Sequence, residues 1–233
     1  MLVLRKGVVI GMQIELSGIQ KKYRRKRVLT DISLTATEGS CTCILGENGC
    51  GKSTLLSILA GVQKADAGSF LYGKEDLFKN GGLRAKVLGY VPQQDPLIEE
   101  LTAWDNLRMW YDKDKLNREL SDGVLAMLGI DLFLKTPVHK MSGGMKKRLS
   151  IGCAVAGNPK ILLLDEPSAA LDLICKERIY NYFERYKAEG GILLLATHDT
   201  RELELCDQCY ILKQGSLIFY EYDGNIHHLA GKL

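Results

Sequence analysis

The chain has 233 residues, of which 46% are hydrophobic and 25% are charged, and its formal net charge is +3. This composition is that of an ordinary globular protein, and the small net charge gives no argument for nucleic-acid binding by itself. No apolar run approaches the roughly 20 residues that span a bilayer, and the apolar part of the N-terminus is too short for a secretory signal. We therefore expect a cytoplasmic chain.

Short apolar segments alternate with longer helical patterns along the chain, which is typical of an α/β domain. Residues 1–11 fit no such pattern, and we expect them to be an N-terminal extension. Alternating apolar residues over 12–36 predict strands, with Ile14 and Leu16 on one face. The run CTCILG then predicts a strand that leads into a glycine-rich turn, and STLLSILAGV predicts the helix that follows the turn.

Three later segments, KVLGYV, KILLLDE and GILLLATH, are apolar enough to be buried parallel strands. Between Ala103 and Asn158 the pattern is mostly helical, which predicts a helical lobe inserted into an α/β core. The segment QCYILKQGSLIFYEY predicts a hairpin, with Gln214 and Gly215 at its turn. We therefore expect a single domain over residues 12–233.

The glycine-rich turn matches the phosphate-loop pattern G-x-x-x-x-G-K-[ST] and lies between a strand and a helix, as its mechanism requires. Backbone N–H groups and the helix N-terminus bind phosphate in such a loop, and glycines allow the close approach. A glycine-rich turn without a ligand is the alternative, and the flanking strand and helix disfavour it. The matching residues are Gly46, Glu47, Asn48, Gly49, Cys50, Gly51, Lys52, Ser53 and Thr54.

Within this loop, Lys52 is the charge expected to bind the β- and γ-phosphates, and Ser53 is the hydroxyl expected to bind Mg²⁺. Cys50 also lies in the loop, and we interpret it as a small tolerated side chain rather than a reactive thiol.

Two acids follow the apolar segment at 161–164, at the end of a buried strand where an α/β sheet places ligands. Asp165 is expected to bind Mg²⁺, and Glu166 to orient or deprotonate an attacking water molecule. His198 follows another such strand and is expected to donate a hydrogen bond to a γ-phosphate, although a purely structural histidine is an open alternative.

These motifs, in this order, resemble the nucleotide-binding domain of ATP-binding cassette (ABC) proteins over about residues 12–222. Tyr23 resembles the aromatic residue that stacks on adenine in that family. Gln93 resembles the glutamine that links the core to the helical lobe and reaches the Mg²⁺ site, and His198 resembles the switch histidine. The segment SAALD, with Asp172, resembles the loop that meets the partner subunit.

The segment MSGGM resembles the family signature, which is usually Leu-Ser-Gly-Gly-Gln, and Met145 replaces the usual glutamine. The resemblance implies a head-to-tail dimer in which Ser142, Gly143 and Gly144 contact the γ-phosphate of an ATP held by the other chain. A side chain at either glycine is expected to push the two domains apart. The basic residues at 146–148 are interpreted as a solvated helix face.

The resemblance implies a phosphate-loop NTPase core with a mostly parallel sheet, an antiparallel N-terminal β-subdomain and an inserted helical subdomain. It places the core at 12–92 and 159–233 and the helical lobe at about 93–158. It also implies binding of ATP and Mg²⁺, and catalysis by Lys52, Gln93, Glu166 and His198.

The implied function is ATP hydrolysis that drives transport through separate transmembrane permease subunits, with the chain peripheral on the cytoplasmic face of the membrane. A cassette ATPase that acts on nucleic acid or ribosomes is the alternative, supported by the basic run KKYRRKR. We interpret that run as a solvated hairpin turn and expect no nucleic-acid ligand. A small-molecule phosphate-loop kinase is a third possibility, but it leaves MSGGM and His198 unexplained.

Overall fold

The computed structural model describes residues 12–169 and 171–233. The expected N-terminal extension, residues 1–11, lies outside the described residues. Within them, ten strands belong to one sheet. The strands are β1 Gln13–Tyr23, β2 Lys26–Thr37, β3 Cys41–Leu45, β4 Ala67–Tyr72, β5 Glu75–Asp76, β6 Leu88–Val91, β7 Ile161–Asp165, β8 Ile192–Ala196, β9 Gln208–Lys213 and β10 Ser216–Tyr220.

The strand order in the sheet is β5-β4-β1-β2-β10-β9-β3-β8-β7-β6. Strands β5, β4, β1 and β2 pair antiparallel, whereas β9, β3, β8, β7 and β6 pair parallel. The two parts meet at β10, which pairs antiparallel with β9 and contacts β2 through Ser216 and Asp31. The predicted fold class is therefore confirmed: a mostly parallel core carries an antiparallel N-terminal sheet.

Strands β3, β8 and β7 are adjacent and parallel, so their carboxyl ends lie at the same edge of the sheet. Every residue of these three strands is buried, which explains their continuous apolar sequences. The phosphate-loop segment follows β3, the two acids lie at the end of β7, and His198 follows β8. The topology thus brings three distant sequence motifs to one edge.

Helices of the described residues pack on both faces of this sheet, with α1 on one face and α6 and α7 on the other. Four of them, α3 to α6, lie between β6 and β7 and form the predicted helical insertion, whose exact boundaries stay a prediction. The helices are α1 Lys52–Ala60, α2 Gly81–Val87, α3 Ala103–Arg108, α4 Lys113–Ser121, α5 Val124–Met127, α6 Gly143–Ala154, α7 Leu173–Ala188, α8 Thr200–Leu205 and α9 Ile226–Ala230.

Strand β7 separates the two main core clusters of the protein. Ile161 and Leu163 pack with the apolar face of α1, whereas Leu162 and Leu164 pack with α6, α7 and the helical insertion. Side chains alternate between the two faces of a strand, so one apolar run contributes to both layers. The helical insertion therefore shares its core with the sheet and does not pack as an independent unit.

Two details of the β structure bear on the sequence analysis. The predicted hairpin is confirmed, because β9 and β10 pair antiparallel and the turn residues Gln214 and Gly215 have φ values of 51° and 81°. Strand β4 was not anticipated; it pairs with β1 and widens the antiparallel part of the sheet.

Candidate active site

The loop after β3 has a backbone that requires glycine at two positions where neighbouring atoms approach closely. Gly46 has φ 150°, and a Cβ atom there would lie 2.6 Å from the Leu212 carbonyl oxygen. Gly51 has φ 119° and caps α1, and a Cβ atom there would lie 2.9 Å from Val28 Cγ1. Because other residues rarely adopt these φ values, the glycines fix the loop against β2 and β9.

Lys52 lies at the first position of α1, and its ammonium group points back into the loop. Lys52 Nζ donates to the carbonyl oxygens of Gly46 at 2.6 Å and Glu47 at 3.2 Å. The residue is only 5% exposed, so a desolvated positive charge lies at the centre of the loop. A charge in this position attracts phosphate oxygens that enter the loop.

A cleft of about 310 Å³ opens above the loop and brings together residues from three separate motifs. Gln93, from the segment after β6, and Glu166, from the segment after β7, form its wall opposite the loop. The residues that line the cleft are Asn48, Gly49, Gly51, Lys52, Ser53, Thr54, Gln93 and Glu166.

Asp165 ends β7 beneath this cleft and has the chemistry of a cation ligand. It is 1% exposed, and its Oδ1 has no hydrogen-bond partner among the described residues. Burial raises the pKa of Asp165, and the Ser53 hydroxyl counteracts that shift. An unpaired buried carboxylate oxygen is costly, and a bound cation removes that cost. Oxygen donors of this kind suit Mg²⁺, so Asp165 and Ser53, with Gln93 nearby, fit the implied ion.

Glu166 occupies a strained backbone conformation between two other predicted site residues. Its φ is 50°, a region that costs a non-glycine residue about 1 kcal/mol or more. Its backbone N–H donates to the Ala196 carbonyl at 2.8 Å. Gln93 Nε2 donates to Glu166 Oε2 at 3.3 Å, and His198 Nε2 lies 3.9 Å from Glu166 Oε1. The carboxylate is therefore aimed into the cleft with partners on both sides.

The environment of His198 favours its neutral form. Burial and the nearby Lys52 ammonium lower the pKa of His198, and the Glu166 carboxylate partly offsets them. A neutral imidazole carries one N–H donor and one acceptor. At neutral pH His198 therefore retains a donor for a phosphate oxygen without adding a second cation beside Lys52.

The signature segment starts α6 outside the lining of this cleft. Ser142 caps the helix, and its Oγ accepts a hydrogen bond from Met145 N at 3.3 Å. Ser142 and Gly143 are exposed, and a Cβ atom on Gly143 would meet no atom within 4 Å. Neither residue lines the cleft above the chain's own phosphate loop. The N-terminus of α6 thus presents an exposed surface that is not part of that cleft.

Gly144 has a reason for lacking a side chain within its own chain, which the sequence analysis did not foresee. Gly144 is buried, and a Cβ atom on it would lie 2.7 Å from Cys175 Sγ and 3.3 Å from Cys175 Cβ. The absence of a side chain at this position therefore lets α6 approach α7 of the same chain. Gly143 faces open space and Gly144 faces α7, and the expected contacts of both glycines with another chain's nucleotide stay a prediction.

The interpretation of residues 146–148 as a solvated helix face is wrong for Lys147 and Arg148, whereas Lys146 is partly exposed. Lys147 and Arg148 are 5% and 8% exposed. Arg148 Nη1 donates to the Leu128 carbonyl at 2.7 Å, and its guanidinium lies 5.0 Å from the Phe133 ring centroid. Lys147 Nζ lies 2.9 Å from Asp95 Oδ1. Both cations tie α6 to other segments of the chain.

Two further predicted site residues lie outside the cleft lining. Tyr23 is 44% exposed at the end of β1, its hydroxyl donates to Gln63 Oε1, and Lys21 Nζ lies 5.5 Å from its ring centroid. Asp172 caps α7, with Oδ1 accepting from Cys175 N at 2.9 Å. Their proposed roles with adenine and with a partner subunit stay predictions.

Sequence reasoning missed Glu202, which lies on α8 behind the His198 segment. It is 0% exposed, and neither carboxylate oxygen has a well-aligned hydrogen-bond partner among the described residues. Burial raises its pKa to about 7, although the nearby Ser168 and Thr197 hydroxyls act in the opposite direction. Nothing in the local sequence TRELEL distinguishes it from an exposed helical glutamate.

Comparison with known proteins agrees with this arrangement. The family model described as "ABC transporter" matches residues 29–169. The chain is 33% identical over 212 residues to the probable multidrug ABC transporter ATP-binding protein YbhF of Escherichia coli. The match covers 88% of this chain but only 37% of the length of that relative. The chain is also 30% identical over 215 residues to the lantibiotic transport ATP-binding protein SrtF of Streptococcus pyogenes, covering 91% of this chain and 92% of that one.

A solved dimeric ATP-binding cassette, in a post-hydrolysis state bound to ADP and Pi, superposes with a TM-score of 0.81 at 26% identity. The match covers 89% of this chain and 98% of that chain.

Proposed function

The chain belongs to the ABC transporter family, and from that premise we propose that it binds and hydrolyses ATP as the nucleotide-binding subunit of a transporter. The observation that carries this proposal is the convergence of Lys52, Gln93 and Glu166 on one cleft, with His198 in reach of Glu166. No helix among the described residues is long and apolar enough to cross a membrane. We propose that separate permease subunits supply the membrane path and hold this chain at the cytoplasmic face.

In the proposed reaction, the loop N–H groups and Lys52 bind the phosphates, and Tyr23 stacks on the adenine ring. Glu166 accepts a proton from the attacking water or orients it, and Gln93 holds the Glu166 carboxylate in place. His198 donates to the γ-phosphate from its neutral imidazole. Mg²⁺, held by Asp165, Ser53 and Gln93, would neutralise charge on the phosphates when bound.

We further propose that two such chains, or this chain and a different cassette, complete each site head to tail. Ser142 and the backbone of Gly143 lie at an exposed helix N-terminus, which suits a γ-phosphate from another chain. The loop with Asp172 lies at the start of α7, beside the buried Gly144. The dimeric ADP-bound and Pi-bound cassette reported above supports this assembly.

The nucleic-acid alternative rests on the basic run KKYRRKR, which spans the turn between β1 and β2. Lys21 is bound within the chain, since its Nζ donates to the Lys64 carbonyl at 2.7 Å, and Tyr23 contacts Gln63. None of the matched proteins described above is named for a nucleic-acid ligand. We therefore favour the transporter subunit.

The test is the Glu166→Gln variant, which keeps the side-chain shape and removes the charge. We expect ATP to bind with an affinity close to that of the wild type, while hydrolysis falls about 100-fold or more, the contribution of a general base. ATP and Mg²⁺ should also accumulate the variant as a dimer on size-exclusion chromatography. Glu204→Gln, an exposed change on α8, is the matched control. Hydrolysis at the wild-type rate by Glu166→Gln would refute the assigned role.

A further inference from the structure

Lys147 is a buried cation of α6 whose polar contacts all lie in the segment that follows β6. Its Nζ donates to the carbonyl oxygens of Pro92 at 3.1 Å and Gln93 at 3.2 Å, and it lies 2.9 Å from Asp95 Oδ1. Two donors of the ammonium group thus bond to carbonyl oxygens, and its charge pairs with Asp95, although Asp95 Oδ1 lies outside hydrogen-bond geometry. A buried ammonium is costly unless it is paired, so these contacts hold both the lysine and the segment that surrounds it.

The segment that Lys147 holds is the one that carries Gln93. Pro92, Gln93 and Asp95 follow β6 and belong to no helix or strand. Gln93 itself is exposed, and its side chain reaches Glu166 through a single hydrogen bond of 3.3 Å. Because Lys147 binds the carbonyl oxygens of Pro92 and Gln93, it fixes the peptide units from which the Gln93 side chain projects.

The neighbouring cations of α6 make different contacts. Lys146 pairs with Glu99 at 3.0 Å, and its side chain is 26% exposed. Arg148 binds carbonyl oxygens within the helical insertion. Lys147 is thus the residue of this basic run that connects the helix of the signature segment to the Gln93 segment.

We propose that Lys147 is a positioning residue for the reaction, which clamps the Gln93 backbone against α6 and thereby keeps the Gln93 amide on Glu166. The inference rests on the proposed function, since it assigns Lys147 to the same site. It also implies that the open N-terminus of α6 and the Gln93 amide move together, because one ammonium group joins their two segments.

The experiment compares Lys147→Met with Lys146→Met, two adjacent changes of the same chemistry. A second variant, Lys147→Met with Asp95→Asn, removes the partner charge that the first leaves half-buried, so that unfolding does not obscure the result. We expect kcat for ATP hydrolysis to fall about tenfold in both Lys147 variants, the loss expected for a hydrogen-bonded link to a catalytic group. The KM for ATP should change less than about twofold, and Lys146→Met should match the wild type.

A double-mutant cycle separates positioning from general stability. In a Gln93→Ala background, Lys147→Met should cause no further loss of kcat, because the residue through which it acts is gone. The proposal would be overturned if Lys147→Met lowered kcat by the same factor in the Gln93→Ala background as in the wild type. An unchanged kcat in the Lys147 variants would also overturn it.

Amide hydrogen exchange gives a readout that does not depend on hydrolysis. We expect faster exchange in the peptide that contains residues 92–97 for Lys147→Met and unchanged exchange there for Lys146→Met. Unchanged exchange in Lys147→Met would refute the clamp even in an active protein. An inactive wild type with faster exchange in Lys147→Met would instead refute the proposed ATPase and leave the clamp supported.

Discussion

Two buried carboxylates, Asp165 and Glu202, differ in whether a ligand of the cleft can satisfy them. Asp165 is buried beneath the cleft, with an unpaired oxygen beside Ser53, so a cation can satisfy it from the open side. Glu202 is buried behind the same edge and does not line the cleft. The groups near it are the Ser168 and Thr197 hydroxyls, the Asp199 carboxylate and the Lys176 ammonium. Its carboxylate therefore adds an electrostatic cost that a cleft ligand does not remove.

That cost predicts a pH dependence of stability. Burial raises the pKa of Glu202 from 4.5 to about 7, so between these pH values the folded chain retains a proton that the unfolded chain loses. The contribution of the Glu202 carboxyl group to the free energy of unfolding is thus fully present below pH 4.5 and is lost as the pH rises through 7. The total loss is about 3 kcal/mol at most. We expect Glu202→Gln to raise the melting temperature by several degrees at pH 8 and to change it little at pH 4.5.

The measurement is thermal unfolding of the wild type and Glu202→Gln at both pH values. Glu204→Gln, on the exposed side of the same helix, is the control and should follow the wild type at each pH. Equal melting temperatures of the wild type and Glu202→Gln at pH 8 would contradict the buried-acid argument.

Single residues differ in how far sequence predicts their place. Lys52, Asp165 and Glu166 are predictable, because each belongs to a motif whose chemistry requires that residue type after a strand. Lys147 and Glu202 are not, since a charged residue is buried only where distant segments supply partners or enclosure. Lys147 depends on carbonyls more than 50 positions away along the chain.

At the scale of the element, the start of α6 shows two glycines with different surroundings. Gly143 faces open space, whereas Gly144 faces Cys175 on α7. The sequence SGG carries no sign of this difference, because the crossing of α6 and α7 is a tertiary contact between segments about 30 residues apart. The helix itself is predictable from its Ser142 cap and its apolar residues.

The contrast predicts opposite effects of the same substitution. Gly143→Ala should leave stability unchanged or raise it by a few tenths of a kcal/mol, because alanine favours the helix and meets no neighbour. Gly144→Ala should lower stability by about 1 kcal/mol or more, because overpacking against Cys175 outweighs the gain in helix propensity. Denaturant unfolding measures both. Cys175→Ala makes room for the new methyl group, so the double variant Gly144→Ala with Cys175→Ala should lose less stability. Equal stabilities of Gly143→Ala and Gly144→Ala would contradict the close packing.

Strands show the same division between local and tertiary signals. The sequences of β3, β7 and β8 predict them, because buried parallel strands are continuous apolar runs. Strand β4, AGSFLY, buries only Phe70 and Tyr72 and owes its conformation to pairing with β1, where Phe70 lies opposite Leu16. A short segment of this kind becomes a strand through its partner rather than through its own pattern.

At the scale of the whole molecule, the two surfaces proposed to act on nucleotide are separate in one chain. The cleft above the phosphate loop holds Lys52, Gln93 and Glu166, while Ser142 and Gly143 lie outside its lining. A nucleotide in the cleft therefore lacks the α6 N-terminus of its own chain as a cap. In the proposed head-to-tail dimer, each chain supplies its phosphate loop to one site and its α6 N-terminus to the other.

This division predicts complementation between two inactive chains. Lys52→Ala removes the charge of the phosphate loop. In the proposed dimer, Gly143→Asp places a carboxylate against the γ-phosphate of the ATP that the other chain binds. Gly143 is the suitable position because its surroundings are open and an acid at a helix N-terminus favours the helix, whereas a side chain at Gly144 meets Cys175 of its own chain. In a mixed dimer, one site combines both defects and the other combines two intact halves.

We expect each variant alone to release phosphate at a small fraction of the wild-type rate, and their mixture to recover activity with a maximum near equal amounts. Gly143→Asp should still bind ATP, because its own phosphate loop is intact. Gly143→Asn, which has a similar volume without the charge, is the control and should lose less activity than Gly143→Asp. Chemical cross-linking shows whether mixed dimers form. If they form but release phosphate no faster than either variant alone, the result contradicts action of the signature segment on the other chain's nucleotide. This test requires that one intact site suffices for turnover.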